Sequence, residues 1–402
     1  MKRARAQLQA VSLEEAQRVF FARLGEFFHA REEEIKTREA VGRVTSRPVC
    51  AQRDLPHYAS AAMDGIAVKA ERTRSADPHH PLRLNRGRDF EYVDTGDPIP
   101  DAYDAVIKIE NVHALDTDTI EITQPVPVGK HIRAVGEDFA QGAQVVPKDF
   151  LLTPEAVAAL LGTGNLTVWV KRRPRAIFIP TGSELIPPEE KPARGQIVET
   201  NSHIVKGYVE RWGASVTIHP IVPNEFACVR RAVQEACAAH DLILVGAGTS
   251  KGRGDWVSEV VRELGEVLVH GVAYHPGHPV LLGVIEGKPV IGLPGYPVAT
   301  WLALHLFVRP IVERYYFGCA RELLKIQAKL TKPIQSVRGF REFVRARVER
   351  VADGSYLVHP LQGGASKLST LVGADGWIEV PEDVEHYEQG TLVEATLVDA
   401  VV

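Results

Sequence analysis

Apolar residues near the start of the chain recur at helical spacing: Ala16, Val19, Phe20, Leu24, Phe27 and Phe28 follow a capping box made by Ser12 and Glu15. The pattern predicts an amphipathic N-terminal helix whose Phe-rich stripe serves as core or as a subunit contact. From Val49 to about Gln144 the period becomes that of strands. The runs GIAVKA, EYVDTG, AVIKIENV and TIEITQPV are separated by Gly, Pro and Asp, which predicts a small β-rich domain. Thr153 and Pro154 open a short helix, EAVAALLGTG, leading into the strand LTVWV and the basic turn KRRP. After Pro174 the chain reads as strand (RAIFIP), Gly-bearing turn (TGSEL), helix (NSHIVKGYVERWG), strand (SVTIHPIV), helix (EFACVRRAVQEACAAH) and strand (DLILVG). Strands alternating with helices predict a parallel sheet covered on both faces. The series continues through the helix WVSEVVREL, the strand-like VLVHGVAY, a strand pair in VLLGVIEGKPVIGL and a closing helix from Pro297 to about Tyr316. From about Leu330 alternating strands return, predicting a C-terminal β-domain.

The length of 402 residues exceeds what one hydrophobic core supports and, at ~150 residues per domain, implies two to four domains. Apolar residues make up 45% and charged residues 24%, the balance of a folded soluble chain, and a net charge of -4 argues against a nucleic-acid binder. The basic runs at Lys171 to Arg173 and Arg338 to Arg350 read as solvated edges. The N-terminus lacks the apolar stretch of a secretory signal, and no segment approaches the ~18 apolar residues of a membrane span. Cys50, Cys228, Cys237 and Cys319 are too scattered for a disulfide framework or a CxxC metal site, so a reducing, cytoplasmic setting is expected.

Candidate chemistry gathers at strand ends. The apolar strand from Asp241 to Val245 runs into GAGTSKGRGDW and then a helix. Ligands of open α/β sheets bind outside the carboxyl ends of strands, where glycine lets backbone N–H groups approach phosphate oxygens. Gly246, Gly248, Gly252 and Gly254 suit that task, with hydroxyls from Thr249 and Ser250 and charge from Lys251 and Arg253. A plain Gly-rich turn is the competing reading. Asp255 reads either as the cap of the following helix or as an oxygen ligand for magnesium. Thr181, Gly182, Ser183 and Glu184 follow RAIFIP at another carboxyl edge, and Asn201 with Ser202 opens the next helix. The strand VIGL ends in PGYP, with Pro294 and Gly295, and AYHPGHP precedes it, with His275, Pro276, Gly277 and His278. Proline around glycine fixes a loop rigidly enough to hold amides towards an anion. An HxxH pair in such a loop lacks the geometry of a helix-borne metal site, which disfavours a metal on His270, His275 and His278. In the β-rich region Asp64, Glu110 and Asp138 sit at turns, where acidic residues are ordinary turn formers.

Nine segments in order, DLPHYASAAMDGIAV, YVDTGDPIPDAYDAVIKIE, VGEDFAQGAQVVPKDFLLTP, PTGSEL, GQIVETNSH, DLILVGAGTSKGRGDW, HPGHP, GLPGYP and SKLSTLVGADGWIEVP, resemble the MoeA family of molybdopterin molybdenumtransferases, to which the gephyrin E domain is related. The resemblance implies a multidomain α/β protein with a three-layer molybdopterin-binding α/β domain (174–328) and a β-rich lobe (51–139). An extended discontinuous region (1–50 with 140–173) and a C-terminal β-barrel (329–402) complete it. It implies a homodimer with the active site between the α/β domain of one subunit and the β-rich lobe of the other, and possible traffic with a molybdopterin adenylyltransferase. The implied reaction takes adenylylated molybdopterin and molybdate (or tungstate), cleaves the pyrophosphate with Mg2+, and releases molybdenum cofactor and AMP. The family's acidic positions fall on Asp64, Asp138, Glu184 and Asp255, with Asp255 and Glu184 as metal ligands, a chemistry that suits pyrophosphate cleavage. Ser366 with Lys367 resembles part of an oxyanion pocket, which Arg341 is expected to assist.

The chain departs from the family pattern at three places. His275 and His278 stand where KPGKP is common, the glycine loop reads GAGTSKGRGDW, and GLPGYP replaces GLPGNP. Two fixed cations thus become imidazoles, and a neutral imidazole offers one hydrogen bond and less charge. An active insertase is the expectation. The alternatives are a non-catalytic molybdopterin or oxyanion carrier or sensor, and a gephyrin-like scaffold.

Overall fold

The structure is a computed structural model that describes residues 10–246 and 256–401. Packing divides the chain into two units, Glu32–Lys171 and the segments on either side of it.

Within Glu32–Lys171 the two ends of the segment pair with each other: Glu32–Lys36 runs antiparallel to Thr167–Lys171, and Val49–Cys50 meets Gln144–Val146. The helix Pro154–Gly162 covers this ladder, started by Thr153, whose hydroxyl accepts from the Ala156 amide at 3.2 Å. Ala40, Val146, Leu152, Leu160, Val168 and Val170 form a small core there. The β-rich lobe centres on Gly65–Val68, flanked antiparallel by Phe90–Val93 and Ala105–Lys108. A Cβ on Gly65 would lie 2.0 Å from the Ile107 carbonyl oxygen, so the MDG turn enters the sheet only with glycine there.

In the other unit, helix α1 (Leu13–Arg23) buries Leu13, Ala16 and Phe20 in the α/β core, as the period predicts. Residues 10–31 therefore pack with the α/β body, whereas 32–50 joins 140–171, a difference from the expected 1–50 grouping. The cause is local: the Phe stripe is too apolar to lie along the polar strand Glu32–Lys36.

The sheet contains β1 (Arg175–Pro180), β2 (Ser215–Ile218), β3 (Leu242–Gly246), β4 (Glu266–His270), β5 (Leu281–Ile285) and β6 (Lys288–Leu293), in the order β2-β1-β3-β6-β5-β4. Alternate residues feed two cores. Ala176, Phe178, Leu242 and Leu244 face α1, α2 (Asn201–Arg211) and the closing helix; Ile177, Ile179, Ile243 and Val245 face α3 (Phe226–Ala239) and α4 (Val257–Leu264). The all-parallel expectation is corrected at β5, which is antiparallel to both neighbours. Glu286 and Gly287, at φ +50° and +75°, make a two-residue hairpin turn that reverses the chain without a crossover helix.

The closing helix comprises α5 (Pro297–Ala303), a π-helical turn Leu304–Val308 and α6 (Arg309–Phe317), and stops at Gly318 with φ +86°. Strands β7 (Leu323–Leu330), β8 (Arg341–Arg350), β9 (Tyr356–Pro360), β10 (Gly376–Val380) and β11 (Leu392–Val401) run in the order β8-β9-β7-β11-β10 and close through β8 and β10 into a five-stranded barrel. Val344, Ala346, Val358, Ile378 and Ala395 fill it. On its outer wall Phe343 and Trp377 join the α/β core, where His305 stands edge-on to Trp301, Tyr208, Trp212 and Trp377 at 4.9–5.4 Å.

Candidate functional site

The carboxyl ends of β1, β3 and β6 bring most of the sequence-selected α/β residues to one edge. Thr181 is buried, and both its amide and its hydroxyl donate to the Gly246 carbonyl, at 3.0 and 2.8 Å, clamping β1 to β3. Its hydroxyl hydrogen is therefore spent on the fold. Gly246 itself is required by packing, since a Cβ would lie 2.4 Å from the Phe178 ring. The Gly182 amide donates to Val222 at 3.0 Å, and a Cβ there would meet Leu185 at 2.8 Å and the Glu184 carboxylate at 3.0 Å. Glu184 thus folds back over Gly182, half-exposed.

Asn201 holds the PGYP loop: its Nδ2 donates to the Gly295 carbonyl at 2.9 Å, while its Oδ1 is buried without a partner. The Pro294 carbonyl accepts from Thr300 Oγ1 at 2.5 Å, and the amide of the buried Ser202 donates to Glu199 Oε1 at 3.0 Å. Beside these residues a cavity of about 630 Å³ opens at the ends of β1 and β2, lined by Pro180, Gly182, Ser183, Glu199, Ser202 and Pro223 among others. Apolar walls with a few convergent polar groups suit a heterocyclic ligand. Gly248, Thr249, Ser250, Lys251, Gly252, Arg253 and Asp255 lie outside the described residues.

The histidine loop follows the two-residue strand Tyr274–His275, which pairs parallel with Arg341–Glu342 at the start of β8. Tyr274 is fully buried, its hydroxyl has no partner, and burial pushes its phenol well above the ordinary range. At Gly277, where φ is +127°, a Cβ would lie 2.7 Å from the Tyr274 ring and 2.8 Å from its hydroxyl. Gly277→Ala is therefore expected to lower stability by about 1–3 kcal/mol, read as a lower thermal midpoint, because a buried Tyr274 cannot yield. His275 lies 4.3 Å from the Phe340 ring, and burial, then the neighbouring His278, lowers its pKa. His278 Nδ1 is 2.9 Å from the Val272 carbonyl oxygen.

The barrel supplies a group that the sequence reading missed. Arg341, expected to assist an oxyanion, is held by Glu14 at 2.5 Å and Glu382 at 3.0 Å. Arg345, on the same face of β8, is 3% exposed and forms no ion pair among the described residues. Its donors go to the Gly363 and Phe343 carbonyls and the Thr370 hydroxyl, and burial lowers its pKa. Five donors with these three bonds leave two N–H groups at the loop that carries the exposed Ser366 and Lys367, and the charge of Glu342 offsets that of the guanidinium in part. The signal in the sequence is period two: Arg345 shares a strand face with Phe343, so an arginine is placed on a buried face. The Val298 amide at the start of α5 donates to Ala365 at 3.0 Å, joining the PGYP segment to this loop.

In the other unit Asp64 is exposed and accepts from the Thr95 hydroxyl and amide, both at 2.7 Å, which lowers its pKa. Asp138 occupies a different turn, its amide donating to Leu55 at 3.0 Å. The ladder Ser60–Ala61 with Ile132–Arg133 is antiparallel, so the two carboxylates leave it at opposite ends. Among the described residues no group of three His, Cys, Asp or Glu is placed to hold a metal ion. Glu184 alone does not fit magnesium, and its expected co-ligand Asp255 lies outside the described residues.

A three-layer α/β body with a cavity at its strand ends and a closed barrel is the architecture that the resemblance implies for a molybdopterin-domain protein, and the comparisons agree. Residues 177–314 match a module described as a probable molybdopterin binding domain, residues 11–164 the MoeA N-terminal region (domain I and II), and residues 327–398 the MoeA C-terminal region (domain IV). The chain belongs to the MoeA family. It is 31% identical to molybdopterin molybdenumtransferase 2 of Mycobacterium tuberculosis, over 88% of this chain and 92% of that one. It is 30% identical to the molybdopterin molybdenumtransferase of Synechococcus elongatus, over 90% and 93%. A solved molybdopterin biosynthesis MoeA protein from Pyrococcus horikoshii superposes with a TM-score of 0.81 at 30% identity, over 97% of this chain and 99% of that one.

Proposed function

We propose that this chain is a molybdopterin molybdenumtransferase of molybdenum cofactor biosynthesis, taking adenylylated molybdopterin and molybdate and releasing AMP and the cofactor. The observation that carries the reading is the join between the PGYP segment at the sheet edge and the barrel loop. The Val298 to Ala365 bond ties the PGYP segment to the loop whose Gly363 carbonyl accepts from the buried Arg345 guanidinium. In this reading the apolar cavity seats the pterin and Asn201 holds the PGYP loop. The segment from Gly246 to Gly254 cradles the phosphates, and Arg345 with Ser366 and Lys367 holds the oxyanion. A preorganised buried cation stabilises a tetrahedral oxyanion without reorganising when it arrives.

The finer parts of the proposal are supported by the family resemblance. They comprise the four-part organisation, a homodimer bringing Asp64 and Asp138 to the partner's α/β domain, magnesium on Asp255 and Glu184, an adenylyltransferase partner and a cytoplasmic setting. Among the described residues no helix is long and apolar enough to cross a membrane.

Incubation with adenylylated molybdopterin, magnesium and molybdate is expected to release AMP. Asp255→Asn is expected to abolish release with the melting profile unchanged. The carrier reading is favoured by one observation, the histidines in place of fixed cations, and predicts ligand binding with no AMP from the wild type beside an active family member.

A further inference from the structure

We infer that Glu199 selects the pterin end of the substrate. Its carboxylate, open to the cavity at the ends of β1 and β2, takes the paired N–H donors of a 2-amino-4-oxo ring and turns the adenine end away. This role rests on the reading of the cavity as the pterin seat.

The backbone holds Glu199 at the cavity wall. Leu185–Ile186 pairs parallel with Ile197–Val198, and the Glu199 amide continues that pairing by donating to the Ile186 carbonyl at 2.9 Å. Glu199 is 8% exposed, as is Ser202 in the first turn of α2. Glu199 Oε1 accepts from the Ser202 amide at 3.0 Å and so satisfies one of the free N–H groups of that turn. Glu199 Oε2 and the Ser202 hydroxyl have no partner among the described residues. Neither oxygen is sealed in the interior, so both open on the cavity that the two residues line.

The rest of the lining offers little that competes. Pro180, Ile218 and Pro223 are apolar walls, and the Gly182 amide is spent on the Val222 carbonyl. The exposed Ser183 hydroxyl accepts from the Asn224 amide at 3.1 Å, and His219 Nδ1 is 2.7 Å from the Pro220 carbonyl oxygen. Glu190, the other carboxylate of the lining, is exposed, where water competes for its bonds.

An apolar wall with one buried carboxylate oxygen and one hydroxyl fits a flat heterocycle that presents two adjacent N–H donors beside a carbonyl. A pterin has that edge. Its 2-amino group and N3–H meet the carboxylate, and its 4-oxo group accepts from the Ser202 hydroxyl. Adenine instead places the N1 lone pair beside its 6-amino group, which sets acceptor against acceptor. A buried acceptor left without a donor is costly, so the site discriminates between the two ends of adenylylated molybdopterin. Guanine shares the pterin edge, and the common chemistry is a cyclic acylguanidine.

Glu199→Gln separates this role from helix capping. The single oxygen of glutamine stays on the Ser202 amide, which turns the NH2 group to the cavity and replaces an acceptor by a donor. Binding of 6-hydroxymethylpterin and of 6-hydroxymethyllumazine, in which a 2-oxo group stands for the 2-amino group, is followed on the full chain by ligand fluorescence. Guanosine and adenosine monophosphates serve as competitors. The wild type is expected to prefer the pterin to the lumazine by about tenfold or more, with guanosine monophosphate weaker than the pterin and adenosine monophosphate weakest. Glu199→Gln is expected to lose about tenfold or more for the pterin, to hold the lumazine at least as tightly as the wild type does, and to keep its melting profile. Three results overturn the inference and leave the cavity as a pteridine seat: equal wild-type affinity for the two pteridines, adenosine monophosphate competing as well as the pterin, or an unchanged preference in Glu199→Gln. Tighter binding of guanosine monophosphate than of the pterin assigns the cavity to a guanine nucleotide and overturns the pterin reading. Absence of binding of either pteridine by the wild type and by Glu199→Gln removes the cavity reading and the inference together.

Discussion

Arg345→Met is expected to lower AMP release by about a hundredfold or more, with no loss of thermal stability. The two effects separate because of how the guanidinium is held. A cation removed from water costs several kcal/mol unless an anion compensates it fully; among the described residues Arg345 bonds only carbonyl and hydroxyl acceptors, and burial outweighs the charge of Glu342. Methionine fills a similar volume, and its removal of a charge from a 3% exposed site relieves that cost. An arginine kept for stability would give the opposite result, a lower melting point with activity retained per folded molecule. Arg341→Met supplies the contrast. It breaks the pairs with Glu14 and Glu382, whose side chains are 62% and 35% exposed, and is expected to cost under about 1 kcal/mol and leave AMP release near the wild-type rate. Wild-type release by Arg345→Met would remove that residue from the oxyanion pocket.

Glu313→Leu is expected to be the most damaging single change to the fold, costing about 3–5 kcal/mol. Glu313 is wholly buried in α6. Its Oε1 accepts from Arg309 Nε at 3.1 Å and from Arg321 at 3.2 and 2.9 Å, and its Oε2 accepts from the Arg321 amide at 2.9 Å. Leucine would strand the Arg309 guanidinium, 7% exposed, without an anion, and would orphan the Arg321 amide. Arg321→Leu is expected to cost less, since Glu313 keeps Arg309 one turn away on the same helix. Urea unfolding followed by tryptophan fluorescence, which reports the Trp301, Trp212 and Trp377 cluster next to α6, checks both. Equal losses for the two variants would contradict the ranking.

The elements around the site were largely legible because each depends on residues within one turn or a few strand positions. Thr153 with Pro154 starts a helix, the period-three stripe in α1 turns inward, and Ile177 and Ile179 alternate with Ala176 and Phe178 to make a strand buried on both faces. The direction of β5 was less legible, since an apolar run reads the same parallel or antiparallel. Glu286 and Gly287 were the cue, two residues too few for a crossover. The sheet-edge residues were found by chemistry and position, but the role of Thr181 was not, because a hydroxyl at a strand end looks free until its acceptor on another strand is known.

By itself the sequence determined the kinds of elements, the covering of the sheet on both faces and the family, because periodicity and turn residues act over short range. Only the tertiary structure decided which of two cations on one strand face forms ion pairs among the described residues and which imidazole has its N–H already in use. Arg341 is paired with Glu14, 327 positions away, while Arg345 four residues further along the same strand forms no ion pair among the described residues. Charge and hydrogen-bond capacity are what remain after all partners have been counted, and those partners are brought together by folding rather than by neighbourhood in the chain.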